Sequence, residues 1–241
     1  MAMAAVSNLG RDANYFGHPF AAFNFFGYGL LAWDPAALQD CDAMLHTWAR
    51  LTYSLPEMQE RLLVDVLDRS ASIVERYSAN LGLGWMVTPN SHYGPNPGGY
   101  EFQSWGTYHR TNHEAVGIAR GPEGTGYTEQ YPTALAAMYA NPATCPEQLL
   151  LFFHRLPYTF QMQDGRTLLQ RLYDDHFEGY AAVKAMVEQL GTLKLPSPDR
   201  EEVTRRAALQ VHNAHEWCDI LNTFFYRYSG IPDEKGRTIY D

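Results

Sequence analysis

Leu169-Gln-Arg-Leu-Tyr-Asp-Asp-His-Phe-Glu-Gly-Tyr-Ala-Ala-Val-Lys-Ala-Met-Val-Glu-Gln-Leu190 decides the fold class. Leu169, Tyr173, His176, Tyr180, Val183, Val187 and Leu190 step alternately by four and three residues. That spacing keeps side chains on one face of a helix and makes a heptad-like seam. His176 falls on the apolar stripe, so it reads as a satisfied core histidine rather than a general base. Asp174, Asp175 and Glu178 flank it and read as a solvated face.

A second long helix follows. Ser197-Pro198 reads as an N-cap with a first-turn proline. Behind it Val203, Ala207, Val211, Ala214, Trp217, Leu221, Phe224 and Tyr228 share a face, and Gly230-Ile-Pro232 ends the run. Upstream, residues 36–81 also read as helical. Ser54-Leu-Pro-Glu57 and Thr144-Cys-Pro-Glu147 match the capping-box pattern, in which hydroxyl and carboxylate each satisfy an orphan N–H. After the first of these, Met58, Leu62, Val66, Ile73 and Tyr77 fall on one face. The stretch 8–35 is rich in aromatics and glycine. A helix from about Pro19 to Leu31 would be apolar nearly all round, which implies burial on most sides.

Residues 82–132 break this texture. They hold ten Gly, five Pro, eight aromatics and three His in 51 residues. Punctuation this dense excludes long helices. The aromatics argue against disorder, so the segment reads as a long structured loop on a helical scaffold, the usual seat of function.

Composition removes several functions. The chain has 241 residues, with 18 Lys+Arg against 27 Asp+Glu, a net charge of −9. An acidic balance lacks the footprint of a nucleic-acid binder. No apolar run approaches the roughly 18 residues that a membrane span needs. Met1–Ser7 has no basic segment and no long apolar one, so no signal peptide is read. Cys41, Cys145 and Cys218 are too far apart for a CxxC zinc site and odd in number. They read as inert thiols in a reducing compartment.

Within the loop, the residues bear on four chemistries. His109 and His113 would share a helix face, and His92 could complete a metal site, but Gly and Thr around them disfavour a helix. Glu101, Glu114, Glu123 and Glu129 could supply a glycosidase pair, yet four glutamates are ordinary in an acidic chain. No Ser sits in a GxSxG elbow. Gly121-Pro-Glu-Gly-Thr-Gly-Tyr127 lacks the Gly-Lys-Ser/Thr ending of a phosphate loop and reads as a turn. What remains is a recognition loop of Trp, Tyr, His and Asn with two cations, Arg110 and Arg120. Rings stack on sugar C–H faces, polar groups fix hydroxyls, and Arg captures a carboxylate in two-point contact.

Trp85-Met-Val…His92-Tyr-Gly-Pro-Asn-Pro-x-Gly-Tyr100…Trp105-Gly-Thr-Tyr-His-Arg110 resembles the C-terminal region of glycoside hydrolase family 67, the xylan α-1,2-glucuronidases. So do Gly124-Thr-Gly-Tyr127, Cys145-Pro-x-x-Leu-Leu-Leu-Phe-Phe-His154, His176-Phe-Glu-Gly179 and Ser229-Gly-Ile-Pro-Asp-Glu-Lys-Gly-Arg237. Gly17-His18…Phe26-Gly-Tyr-Gly-x-Leu-Ala-Trp33 is similar to the segment by which that family leaves its (β/α)8 barrel. The likeness runs from about residue 8 to the end. It implies a mainly α fold: a helical C-terminal domain with a long structured loop over 36–241, preceded over 1–35 by the last βα piece of a TIM barrel.

It also implies an inverting glycosidase that frees glucuronic acid or its 4-O-methyl ether from xylo-oligosaccharides. The family's catalytic carboxylates lie in the barrel, so none is assigned to this chain. Trp105 resembles the family's substrate-sandwiching tryptophan, with Trp85 the second choice. Arg110, His92 and Tyr93 match neighbouring rim positions. No cofactor and no metal are implied. The expected partners are a glucuronic-acid-bearing xylo-oligosaccharide, a barrel domain and a second copy in a homodimer, which a monomer in sedimentation would contradict. Ala119-Arg120 and Tyr15-Phe-Gly-His18 depart from the family's Asp-Arg and Trp-Thr-Gly-His. The expected location is a bacterial cytoplasm in preference to secretion. Two other readings stay open: a stand-alone, non-catalytic carbohydrate-binding or interaction module, and an independent hydrolase using Glu101 and Glu129.

Overall fold

A computed structural model of the chain describes residues 17–34, 36, 40–102 and 106–239. The readings made on residues 1–16, including Tyr15, and on Trp105 lie outside the described residues. The elements run α1 (Ala22–Trp33), α2 (Cys41–Tyr53), α3 (Glu57–Ser78), β1 (Ala115–Gly117), α4 (Thr133–Ala140), α5 (Leu150–Phe153), β2 (Arg155–Pro157), α6 (Leu168–Gly191) and α7 (Asp199–Ser229). The mainly α reading holds, and among the described residues no long helix interrupts 82–132.

The chain divides into two compact units, and α3, α6 and α7 each contribute residues to both. The first comprises residues up to Ala71 with Lys184–Val211. Its core gathers Phe20, Leu45, Trp48, Tyr53, Leu63, Leu193, Leu195 and Val203. Trp48 meets Phe20 and Tyr53 edge-on, at 6.5 and 5.6 Å between ring centroids. The Tyr53 hydroxyl donates to Asp199 Oδ2 at 3.0 Å.

Three sequence expectations change here. Ser54 closes α2 in the left-handed conformation (φ 46°), and α3 starts from the Pro56 carbonyl, which accepts from Glu60 N–H at 3.0 Å. The first capping box is therefore not formed. Met58 is 83% exposed because Glu60 takes the inward position of that turn. Burial of Glu60 is offset by hydrogen bonds from Arg50 (2.9 Å) and His46 (2.7 Å), which hold its carboxyl below the usual range. Thirdly, α1 buries none of its side chains: Phe23 packs on Trp48 at 5.7 Å, while Phe25 and Trp33 face outward.

The second unit comprises Ser72–Val183 and His212 onward. Leu151, Phe153, Leu168, Leu169, Leu172, Tyr173, Leu221 and Phe225 are fully buried in it. The α6 seam is partly as read: Leu169, Tyr173, His176 and Val183 are buried, while Tyr180, Val187 and Leu190 are half-buried. Gly179 lets α6 approach α3, since a Cβ there would lie 3.0 Å from the Tyr77 backbone nitrogen. β1 and β2 pair antiparallel, Ala115 with Pro157 and Gly117 with Arg155, a two-stranded sheet that the sequence reading did not foresee. Thr144 spends its hydroxyl on Met138 O at 2.9 Å, so the second capping box is also not formed. The end of α7 is as read, with Gly230 at φ 67° and its N–H on Tyr226 O.

The acids beside His176 are the largest correction. Asp174 and Asp175 are buried, not solvated, while Glu178 is exposed. Asp174 accepts from Arg166 (2.7 Å), Arg237 (2.6 Å) and Lys235 (2.8 Å). Burial opposes its charge, but the bonds from Lys235, Arg166, Arg237 and Gln170 outweigh it and hold the carboxyl down at about 2. Gln170 also donates to Asp233 at 2.7 Å, and Arg237 lies over the Phe177 ring at 4.2 Å. Segment 231–237 is thereby clamped onto α6. His176 is buried as expected and donates from Nδ1 to Asn222 Oδ1 at 2.7 Å, but its Nε2 has no partner among the described residues. Burial pushes its pKa down to about 4, so the ring is neutral.

Candidate functional site

The Gly-rich loop is built around a short hairpin. Val87 and Pro95 form a bridge, and Asn96 N–H donates to Met86 O at 2.7 Å. The turn between them is closed by His92 N–H on Thr88 O at 2.9 Å. Trp85 (φ 67°), Asn90 (φ 68°), His92 (φ 53°) and Arg110 (φ 50°) all adopt the left-handed conformation. These are four of the six non-glycine residues that do so among the described residues. That backbone state is strained for a bulky residue and persists only where the surroundings hold it.

The hairpin holds an aromatic cluster. Trp85 lies 5.0 Å from Tyr108 at 33°, and meets His92 (5.3 Å) and Tyr100 (6.1 Å) edge-on. Tyr100 meets Tyr108 edge-on at 5.2 Å. Tyr100 is buried and its hydroxyl has no hydrogen-bond partner among the described residues. Trp85 is 51% exposed and Tyr93 is 74% exposed.

His109 fastens the loop from beneath. It is buried; Nε2–H donates to Pro97 O at 2.7 Å, and Nδ1 accepts from Thr111 N–H at 3.2 Å. Both ring nitrogens are thus used, so His109 is not available to a metal, and burial lowers its pKa. His113 is exposed beside Glu114, on no helix with His109. Asn112 caps the turn into β1: its Oδ1 accepts from Glu114 N–H, Ala115 N–H and Arg155.

The two cations differ. Arg110 is exposed. Arg120 is half-buried, donates to the Phe152 carbonyl and lies over the Phe152 ring at 4.0 Å, so it supports structure instead of the rim. Glu101, Glu114, Glu123 and Glu129 are all exposed. The Gly121–Tyr127 stretch is a turn, with Gly124 and Gly126 N–H groups on Gly121 O. Cys145 is buried with its thiol pushed up to about 11 by desolvation, and Cys218 is buried too, but Cys41 is exposed at the start of α2.

Of the five rim candidates, Trp85 and His92 are brought together, while Tyr93 and Arg110 lie at exposed positions of the same loop. Trp105 falls in the chain between Tyr100 and Tyr108, two members of the cluster. Tyr100 and Tyr108 were missed by sequence reasoning; their spacing across Gly106 was the available signal. Beside this loop, an open cleft of about 850 Å³ lies between Pro97–Gly98 and Ile220, Phe224 and Tyr228 of α7. It is mostly apolar, with Asp219 and Arg227 as its charges.

Comparison with known proteins places the chain. The pattern described as the glycosyl hydrolase family 67 C-terminus matches residues 16–238. Probable alpha-glucuronidase A of Aspergillus clavatus is 37% identical over 238 residues, which are 97% of this chain and 28% of that protein. Alpha-glucuronidase A of Aspergillus tubingensis is 36% identical over 238 residues, and that of Emericella nidulans 36% over 242, with the same shares. The chain thus spans about 28% of the length of these relatives. They are fungal, which overturns the bacterial cytoplasmic expectation and points to a eukaryotic protein.

Proposed function

The chain belongs to glycosyl hydrolase family 67, whose C-terminal region it carries, and from that membership we propose that it is the C-terminal part of an α-glucuronidase acting on xylo-oligosaccharides. The substrate bond is the α-1,2 link to glucuronic acid or its 4-O-methyl ether, hydrolysed with inversion. The observation that carries this reading is the match to named α-glucuronidases over 97% of the chain.

In this reading the acid and the water-activating carboxylate are supplied outside this chain, which contributes the substrate rim. Trp105 stacks on the sugar, and Trp85, His92 and Tyr93 are further rim residues. Arg110 offers two-point capture of the glucuronate carboxylate. No cofactor takes part. The exposed apolar side of α1, with Phe25 and Trp33, is where a barrel domain docks. A homodimer contact belongs to the same reading.

The exposed aromatic loop would equally serve a non-catalytic sugar-binding module. Assaying the purified 241-residue chain on aldouronic acids tests whether it is an independent hydrolase. No turnover is expected, since the loop glutamates are solvated and no acid and base are assigned here. Turnover that disappears in Glu101→Gln would instead establish an independent hydrolase.

A further inference from the structure

We propose that His109 is a positioning residue for the loop, a latch whose neutral imidazole holds segment 97–109 in its substrate-binding form. This rests on the reading of the loop as the substrate rim.

His109 is 2% exposed, so it acts on a ligand only through what it holds. Its Nε2–H donates to the Pro97 carbonyl at 2.7 Å, twelve residues back, and ties the two ends of the segment together. Backbone bonds there, among the described residues, are short turns: Gly99 N–H on Asn96 O, Glu101 N–H on Gly98 O and Arg110 N–H on Thr107 O. Phe224 of α7 meets the imidazole edge-on at 5.7 Å and seats it on the helical scaffold. The segment closed in this way carries Tyr100 and Tyr108 of the aromatic cluster and, in the sequence, Trp105. A binding surface whose parts are held beforehand loses less freedom when a ligand arrives.

The latch has one working protonation state. A carbonyl only accepts, so Nε2 carries the proton; the Thr111 N–H at 3.2 Å only donates, so Nδ1 is bare. A second proton, on Nδ1, would face that N–H donor to donor. Burial disfavours the cation more than the Pro97 carbonyl favours it, and the Arg110 guanidinium adds to the effect of burial. Residues 96–98, Asn-Pro-Gly, bring no ionisable side chain, and α7 places Asp219, Arg227 and Tyr228 along the cleft beside Pro97. With the folded pKa below the ordinary 6.5, the latch is closed at neutral pH and weakens as pH falls below that value.

Nitrogen–proton correlation spectra of the purified chain should show the His109 proton on Nε2 at neutral pH. The amides of Gly99, Glu101 and Arg110 should lose exchange protection as the ring takes up its second proton. A proton on Nδ1, or protection unchanged across the titration, would overturn the latch. These readings need no variant, so they decide the matter even where a substitution prevents folding. In the proposed full-length enzyme, His109→Asn keeps an acceptor for Thr111 but no donor for Pro97. It should raise KM for an aldouronic acid roughly fivefold, the size of one lost buried hydrogen bond, with kcat changed less. His109→Gln keeps the donor and cannot titrate, so its KM should stay near that of the parent and no longer rise at acid pH. A parental KM in His109→Asn, or a parental acid rise in His109→Gln, would refute the link to substrate. Failure of the α-glucuronidase reading looks different: the parent enzyme leaves aldouronic acids uncut, while the tautomer and the amide protection are as expected.

Discussion

Asp174→Ala should detach the C-terminal segment from α6 and cost about 4 kcal/mol of stability. Asp174 is fully buried and gathers Arg166, Arg237 and Lys235. Removing the carboxylate takes a partner from Arg166, Arg237 and Lys235 at once, although Arg166 keeps Asp164 and Arg237 keeps Asp233, and breaking a buried pair from one side is far costlier than never having built it. At this chain length the loss corresponds to a fall in melting temperature of roughly 10 °C. Calorimetry would read that fall, and hydrogen exchange would rise across 231–237. A variant that melts like the parent would refute the clamp. The acid limb gives a second readout. The folded carboxyl sits at about 2, below its value in an unfolded chain near 3.9. Its contribution is therefore fully present above pH 4 and is lost as pH falls toward 2, by roughly 2 kcal/mol. Asp174→Asn should lack that part of the acid transition.

Gly117→Ala should be as damaging for a different reason. Gly117 ends β1 at φ 90°, where an L side chain is strained. A Cβ there would lie 2.2 Å from His154 O and 2.9 Å from Leu151 O, both backbone atoms that cannot swing away. The next residues depend on the same carbonyl row, since Ile118 N–H donates to Leu151 O and Arg120 N–H to Phe153 O. Strain and overpacking together set the expected cost at about 4 kcal/mol. Chemical denaturation of purified Gly117→Ala would show its midpoint shifted well down. An unchanged midpoint would mean that this strand and α5 can separate without loss.

The long seams of α6 and α7 were legible because seven or eight apolar residues repeat at helical spacing, and Gly230 marks a stop. The density of Gly and Pro in 82–132 likewise announced the loop. Asp174 and Asp175 were misread because periodicity sees polarity and not partners: Arg237 and Lys235 lie some sixty residues away in sequence. The two capping boxes failed for a similar reason. Ser54 and Thr144 serve the ends of the preceding segments, and the proline that follows each starts the next helix. β1 and β2 are three residues each and far apart in sequence, too short for alternation to show. In the site, Trp85 and His92 were legible as residue types. That Tyr100 and Tyr108 close the cluster depends on left-handed turns at Trp85, His92 and Arg110, which only the folded loop reveals.

The proposed α-glucuronidase role of this loop is tested most directly by Trp105→Ala in the proposed full-length enzyme, assayed on an aldouronic acid. Loss of one stacked ring should lower kcat/KM by roughly tenfold to a hundredfold, on the order of 1–3 kcal/mol. Kinetics identical to the parent enzyme would contradict a substrate-contacting role for the loop at that position.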